Sequence, residues 1–217
     1  MTEESSPGRT YGGLSAADRA AERRRRLLDA GLDVFGSVGY AAATVRQLCR
    51  EARVADRYFY EEFVNTEDLL RAVYLDCMDR LQDTVVAVAA AHEGDLPELA
   101  RDGLDAFLAV LEQDRRLARV VWFEVMGVSP RIDATYLGRM EDFGALLTGL
   151  LLERGLLTDV PEGELAVVRR AAVGGVSHAV VAWLHADFAQ PRAEVLAGLQ
   201  RFLRAIAYGA DAAPRLG

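Results

Sequence analysis

Apolar residues recur three and four positions apart along most of this chain, and no stretch alternates with period two between hairpin turns. Side chains three and four apart share one face of a helix, whereas a strand places every second residue on a face, so the pattern specifies an all-α chain without a sheet. The polar punctuation agrees. Ser15 with Asp18 and Thr44 with Gln47 have the spacing of a capping box, and Asn65 with Asp68 repeats the N-cap pattern. Further along, proline falls near a helix start at Asp95-Leu96-Pro97-Glu98, Ser129-Pro130, Val160-Pro161 and Gln190-Pro191. Helices are expected from about Pro97, Asp114, Pro130, Glu162 and Pro191, giving about nine in all.

Their lengths divide the chain. A first helix buries Leu27, Leu28, Gly31, Val34 and Phe35 and is expected to end at Gly36 and Gly39. A short helix follows, with Val45, Leu48 and Cys49 on one side and Arg46, Gln47 and Arg50 on the other. Another short one runs from Asp56 to Phe63, and a long connector then turns Leu70, Val73, Tyr74, Cys77, Leu81 and Val85 to one face. The expected units are an arm over 1–14, a three-helix head over 15–66 and a larger helical body over 67–217.

Residues 45–63 fit a helix-turn-helix, which needs a support helix, a tight turn and a second helix whose first turn reaches the major groove. Val45, Leu48, Ala52, Val54, Phe59 and Phe63 supply the inward face and leave Asp56, Arg57 and Tyr58 exposed at the reading turn. Arg57 and Tyr58 are the expected base readers; Asp56 either accepts from a cytosine or caps the helix, with capping favoured because Ala55 cannot cap. Thr44, Arg46, Gln47 and Tyr60 are expected on the phosphates. Net charge is −8, but residues 7–57 hold ten arginines against six acids, whereas everything from Glu61 onward holds fifteen against 25. A basic contacting head on an acidic body is the favoured reading, the alternative being that the run Arg23-Arg24-Arg25-Arg26 is no more than a solvated helix face.

Other chemistries find no support in the pattern. Cys49 and Cys77 lie in apolar stretches without C-x-x-C or His-rich spacing, so neither a disulfide framework nor a metal site is expected. No G-x-S-x-G, P-loop, dinucleotide fingerprint or H-E-x-x-H occurs, no cofactor is implied, and His92, His178 and His185 lie apart; an enzyme is not expected. The segment MTEESSPGRTYGGL has no apolar leader and no run reaches 18 uninterrupted apolar residues, so the expected location is the cytoplasm, away from membrane.

The run Arg26 to Leu70 resembles the DNA-binding domain of the TetR family of repressors, through Phe35-Gly36, Gly39-Tyr40, Thr44-Val45, Ala52-x-Val54, Phe59-Tyr60, Phe63 and Glu67-Asp68-Leu69-Leu70, in order and without a gap. The resemblance implies a homodimer on a palindromic double-stranded operator, an all-helical second domain with an effector pocket and a dimer interface, and release by a small apolar effector. Arg53 and Arg57 stand where that family has glycine, Thr66 replaces its usual Lys, and Glu61 and Glu62 replace neutral or basic side chains. Carboxylates near phosphates weaken non-specific binding. A helical small-molecule-binding module with weak or lost DNA binding is the alternative.

Within the body, residues 165–184 are apolar nearly all round and are expected to be covered on more than one side. The last helix has a single stripe through Val195, Leu199 and Phe202. Ala171, Ala172, Gly175, Ala179, Leu199 and Phe202 are therefore assigned to a dimer interface, small residues permitting close helix approach. Phe107, Trp122, Phe123, Met126, Tyr136, Phe143 and His178 are assigned to the effector pocket as aromatic surface with a few polar tips.

Overall fold

A computed structural model of the chain describes residues 15–153, 155, 157 and 160–208; the arm expected over 1–14 lies outside them. The described residues form helices throughout, with no strand among them. In chain order they are α1 (Ala16–Ser37), a 3-10 turn (Tyr40–Ala42), α2 (Val45–Ala52), α3 (Asp56–Glu62), α4 (Thr66–Ala91), α5 (Leu96–Gln113), α6 (Arg115–Arg119), a π-helical turn (Val120–Glu124), α7 (Pro130–Leu152), α8 (Glu162–His185) and α9 (Arg192–Tyr208). The all-α class and the head-then-body order are thus present as the spacing indicated.

Helix starts follow the cap chemistry, with one reduction. Ser15 and Asp18 close a complete capping box, each side chain accepting the other's backbone N–H. Thr44 accepts from the N–H of Gln47 at 3.2 Å, but the return bond is absent, so this start is a simple cap. Asn65 and Asp95 cap α4 and α5 in the same way. The first helix does not end at Gly36. It continues to Ser37 because Gly36 is a contact, with the Cβ of Arg116 seated where a side chain would stand; the chain turns instead at Gly39, whose φ of 92° few other residues adopt.

The buried core is continuous from head to body. Leu27, Phe35, Leu48, Phe59, Leu69 and Leu70 are fully enclosed, and α4 carries the same core onward through Tyr74, Cys77, Met78, Leu81 and Val85 towards α5 and α7. Gly31 lets α1 approach α4 closely, as a Cβ there would meet Val73 at 2.6 Å.

Coverage of α8 by its own chain meets the expectation on two sides and leaves a third open. This 24-residue helix is long and apolar enough to cross a membrane by length and composition alone, yet only Leu165, Val173, Val180 and Trp183 are buried. α7 packs on one flank and α9 on another, the latter so closely that the Phe202 ring lies 2.6 Å from where a Gly175 Cβ would be. The remaining face, Val167, Ala171, Gly174, His178, Ala182 and His185, is exposed along the helix at three- and four-residue spacing.

Candidate nucleic-acid interface and ligand cavity

The turn between α2 and α3 is built on Arg53, which adopts the left-handed conformation at φ 53°. The N–H of Val54 donates to the Cys49 carbonyl at 3.0 Å and that of Arg53 to Arg50, an arrangement that closes the helix end and offsets the cost of about 1 kcal/mol for a non-glycine residue there. Arg26 from α1 adds a bond to the Arg53 carbonyl at 3.4 Å. From this turn Phe59 and Phe63 go into the core, their rings 5.9 Å apart, and fix the roll of α3.

The opposite side of α3 is open. Asp56, Arg57 and Tyr60 are exposed, Tyr60 at 62%, while Tyr58 is half-buried. Arg57 donates to the Tyr58 hydroxyl at 2.7 Å and lies over its ring, and Arg23 of α1 lies over the same ring at 4.5 Å. Tyr58 therefore orients Arg57 more than it reaches outward itself. Ala55 occupies the cap position without a side-chain bond and Asp56 follows as the first helical residue, so the capping role expected of Asp56 is not taken up; its carboxylate stands beside the Cys49 thiol, which burial first and this neighbour second push up to about 11. Thr44, Arg46 and Arg50 are exposed on the α2 side and Gln47 is half-buried.

The run of four arginines is mostly internal scaffolding. Arg23 faces Glu61 at 3.6 Å and Glu62 at 4.0 Å, Arg24 lies over the Phe63 ring and reaches the Glu62 carbonyl, and Arg26 holds the turn. Only Arg25 pairs along its own helix, with Asp29. Glu61 and Glu62, expected as a penalty near phosphates, thus share the single guanidinium of Arg23, which offsets part of their charge. Sequence spacing gave no sign of this, because the partners lie 38 and 39 residues apart.

In the body, α4, α5, α7, α8 and α9 enclose a cavity of about 820 Å³, within the size range of small-molecule sites. Phe107, Trp122 and Phe143 line it; the other four residues assigned to the pocket do not. Phe123 is displaced to the surface because the π-helical turn widens the helix around Trp122, and its ring edge meets His185 at 4.8 Å. Met126 is 55% exposed in the link to α7, Tyr136 packs on Tyr74 outside the cavity, and His178 lies on the exposed face of α8. Missed by sequence were the aliphatic walls, Met78, Leu81, Leu99, Leu104, Met140 and Leu147, and a polar set from α7, α8 and α9. Their stripes were visible, but a stripe facing a void reads like one facing a partner.

The assigned dimer residues also scatter. Ala171 is exposed and Phe202 is 38% exposed above Gly175, but Ala172 lines the cavity, and Ala179 and Leu199 pack into the chain's own core. The open face is the neighbouring one, Val167 to His185.

Head and body meet at the π-helical turn. Trp122 lines the cavity, and two residues on, Glu124 accepts the Tyr40 N–H at 2.7 Å and a bond from Arg119 at 2.7 Å, while Arg119 reaches the Ser37 carbonyl. Asp114 caps α6, accepts from Arg116 and faces Arg80 at 3.6 Å, and Arg116 in turn pairs with Asp33 of α1.

These features define a class: a helix-turn-helix head tied to a helical body that encloses a ligand-sized cavity. Residues 27–73 match the family described as bacterial regulatory proteins, tetR family. It is similar to the fatty acid metabolism regulator protein of Bacillus subtilis (strain 168), 24% identical over 167 residues that cover 75% of this chain and 84% of the relative. Over 64 residues, 30% of this chain and 33% of the relative, it is 38% identical to the HTH-type transcriptional regulator BetI of Klebsiella pneumoniae (strain 342). Its fold is that of the fatty acid degradation regulator FadR from Bacillus halodurans, with TM-score 0.72 and 21% identity over 87% of this chain and 96% of the other. The regulator FadR from Bacillus subtilis, solved in complex with stearoyl-CoA, superposes with TM-score 0.67 at 20% identity over 85% and 98%.

Proposed function

We propose that this chain is a repressor that holds a palindromic DNA site as a homodimer and releases it when a molecule with a long hydrocarbon portion fills the body cavity. The observation that carries the reading is the π-helical turn, where Trp122 forms a cavity wall and Glu124 fastens the start of the helix-turn-helix. A ligand that displaces Trp122 displaces Glu124 with it, and shifts the population towards a head orientation whose spacing no longer suits two half-sites. A homologue whose name concerns fatty acid metabolism and a structural neighbour holding stearoyl-CoA support a hydrocarbon ligand, as does the aliphatic lining.

Arg57 is the base reader, oriented by Tyr58, and Asp56 accompanies it; Thr44, Arg46, Gln47 and Tyr60 sit on phosphates. The dimer forms through the open face of α8, Val167, Ala171, Gly174, His178, Ala182 and His185, with Phe202 at its rim. This coverage resolves why so apolar a helix is bare in one chain. A mobility-shift titration of the gene's own upstream DNA tests the proposal. Salt-sensitive binding that oleate or oleoyl-CoA relieves supports it; no sequence recovered from a random pool, or tighter binding with ligand, contradicts it.

A further inference from the structure

The cavity lining is graded. Leu81, Leu99, Phe107 and Trp122 are almost wholly enclosed, whereas the lining residues of α9 from Arg201 to Ala207 are half-buried or exposed, so the cavity opens along that end of α9. The charged residues lining it are Arg169, Arg201 and Arg204, and among the described residues no carboxylate lines it. That is unusual in a body where acids outnumber arginines from Glu61 onward.

Their partners differ from those of other arginines. Arg80, Arg101, Arg115, Arg116, Arg119, Arg131, Arg139, Arg170 and Arg192 each face a carboxylate, and Arg71 a hydroxyl. Among the described residues Arg201 and Arg204 face none. Arg169 is paired at the limit of ion-pair distance, its Nε 3.9 Å from Glu141 and its guanidinium 4.0 Å from Glu162, and the Nε makes no hydrogen bond. The contact of Gly175 with Phe202 sets this stretch of α9 against α8, and the contact of Gly144 with Arg169 sets α7 beside it. Thr148, Ser177 and Gln200 add polar atoms to the same three walls. A cationic rim over an aliphatic depth matches an amphiphile, since an anion is the ligand group that gains most from guanidinium groups such as those of Arg201 and Arg204, which face no carboxylate among the described residues.

We infer that the cavity selects a long-chain ligand with an anionic head, its carboxylate or phosphate held by Arg169, Arg201 and Arg204 and its chain directed towards Phe107 and Trp122. The inference rests on the hydrocarbon-ligand reading above and adds the head group. Free long-chain carboxylates and CoA thioesters share this chemistry.

Quenching of tryptophan fluorescence in the full chain, titrated with dodecanoate, dodecanoyl-CoA and dodecanol, separates the cases. Both anionic probes, or one of them, bind at least about tenfold more tightly than dodecanol, and binding of the thioester alone or the acid alone identifies the source as phosphate or carboxylate. Arg201→Ala with Arg204→Ala brings the anions down to the affinity of dodecanol for the same variant, with dodecanol still bound; both side chains are exposed, so the fold survives, and Arg204→Glu repeats the loss by charge reversal. Equal binding of dodecanol and the anions overturns the head-group inference while the hydrocarbon reading stands. Binding of none of the three overturns both.

Discussion

The head and the body of this chain use the same residue types differently. In the head, Leu27, Phe35, Leu48 and Phe59 are fully enclosed, and Arg23, Arg24 and Arg26 fasten α1 to α3 and to the turn before it. Nothing there is left to adjust, so α3 is offered to a groove in one orientation. In the body, the aliphatic stripes of α4, α5 and α7 line a cavity of about 820 Å³, and α8 has one face exposed in the single chain. A molecule that binds such a cavity in the folded chain stabilises it by mass action. A closed head and a cavity-bearing body are what the proposed ligand-operated DNA binder requires.

Truncating one aromatic in each region exposes the contrast. Phe59→Ala, in the closed head, is expected to cost about 3 to 5 kcal/mol and to abolish DNA binding. Phe143→Ala, half-buried at the cavity wall, enlarges a space that already exists and costs clearly less. Urea midpoints for the two variants check this, and equal losses would break the distinction between a closed head and a cavity-bearing body.

Next in size is the bare face of α8. A Cβ at Gly174 meets nothing within 4 Å in the single chain, so Gly174→Arg leaves the fold intact while placing an unpaired cation at the centre of the proposed interface. A shift from dimer to monomer in light scattering is expected, with dimer affinity falling more than about a hundredfold. A dimer of wild-type strength would mean the face is covered otherwise.

The polar join between the regions carries a smaller and pH-dependent effect. Burial works to raise the Asp114 carboxyl, but the bonds from Arg116 and the Leu117 N–H and the neighbouring Arg80 outweigh it and hold the group below its ordinary value. A depressed carboxylate contributes stability that is present above its unfolded pKa and lost as pH falls through the folded one, here from about pH 4 downward. Asp114→Ala, which also removes the α6 cap, is expected to cost about 2 kcal/mol at neutral pH and to flatten that acid loss. Urea midpoints at pH 7 and at successively lower pH measure both. Smallest of all is the expected reactivity of the thiols. Burial pushes Cys77 up to about 12 and Cys49 to about 11, so neither should react with a thiol reagent at pH 8 until the chain unfolds. Rapid native labelling of Cys49 would show the head to be looser than described.

Legibility in the sequence followed the same division. Head helices were readable because their faces are local: Val45, Leu48 and Ala52 declare an inward side within eight residues, and caps such as Ser15 and Asn65 act three positions away. Where a residue's role depends on a distant partner the signal disappears. The arginine run leaves a solvated face open as an alternative until Glu61, Glu62 and the Arg53 carbonyl come within reach of it, and nothing local at Gly36 shows that Arg116 packs against it. Phe123 and Trp122 are neighbours of like composition, and only the π-helical turn decides which of them faces the cavity. His178 sits in an apolar segment that periodicity alone reads as buried, yet α7 and α9 cover the other flanks.

The central claim is that α3 reads sequence through Arg57 while the α2 side grips phosphate. Selection from a random DNA pool, run with the wild-type chain and with Arg57→Ala and Arg46→Ala, tests it most directly. Arg57→Ala is expected to lose preference at one base position in each half of a palindrome, a difference of about 1 to 3 kcal/mol against the wrong base. Arg46→Ala should keep the motif, bind all sequences more weakly and show a shallower salt dependence. An unchanged motif for Arg57→Ala together with an altered one for Arg46→Ala would contradict the assignment of the reading turn.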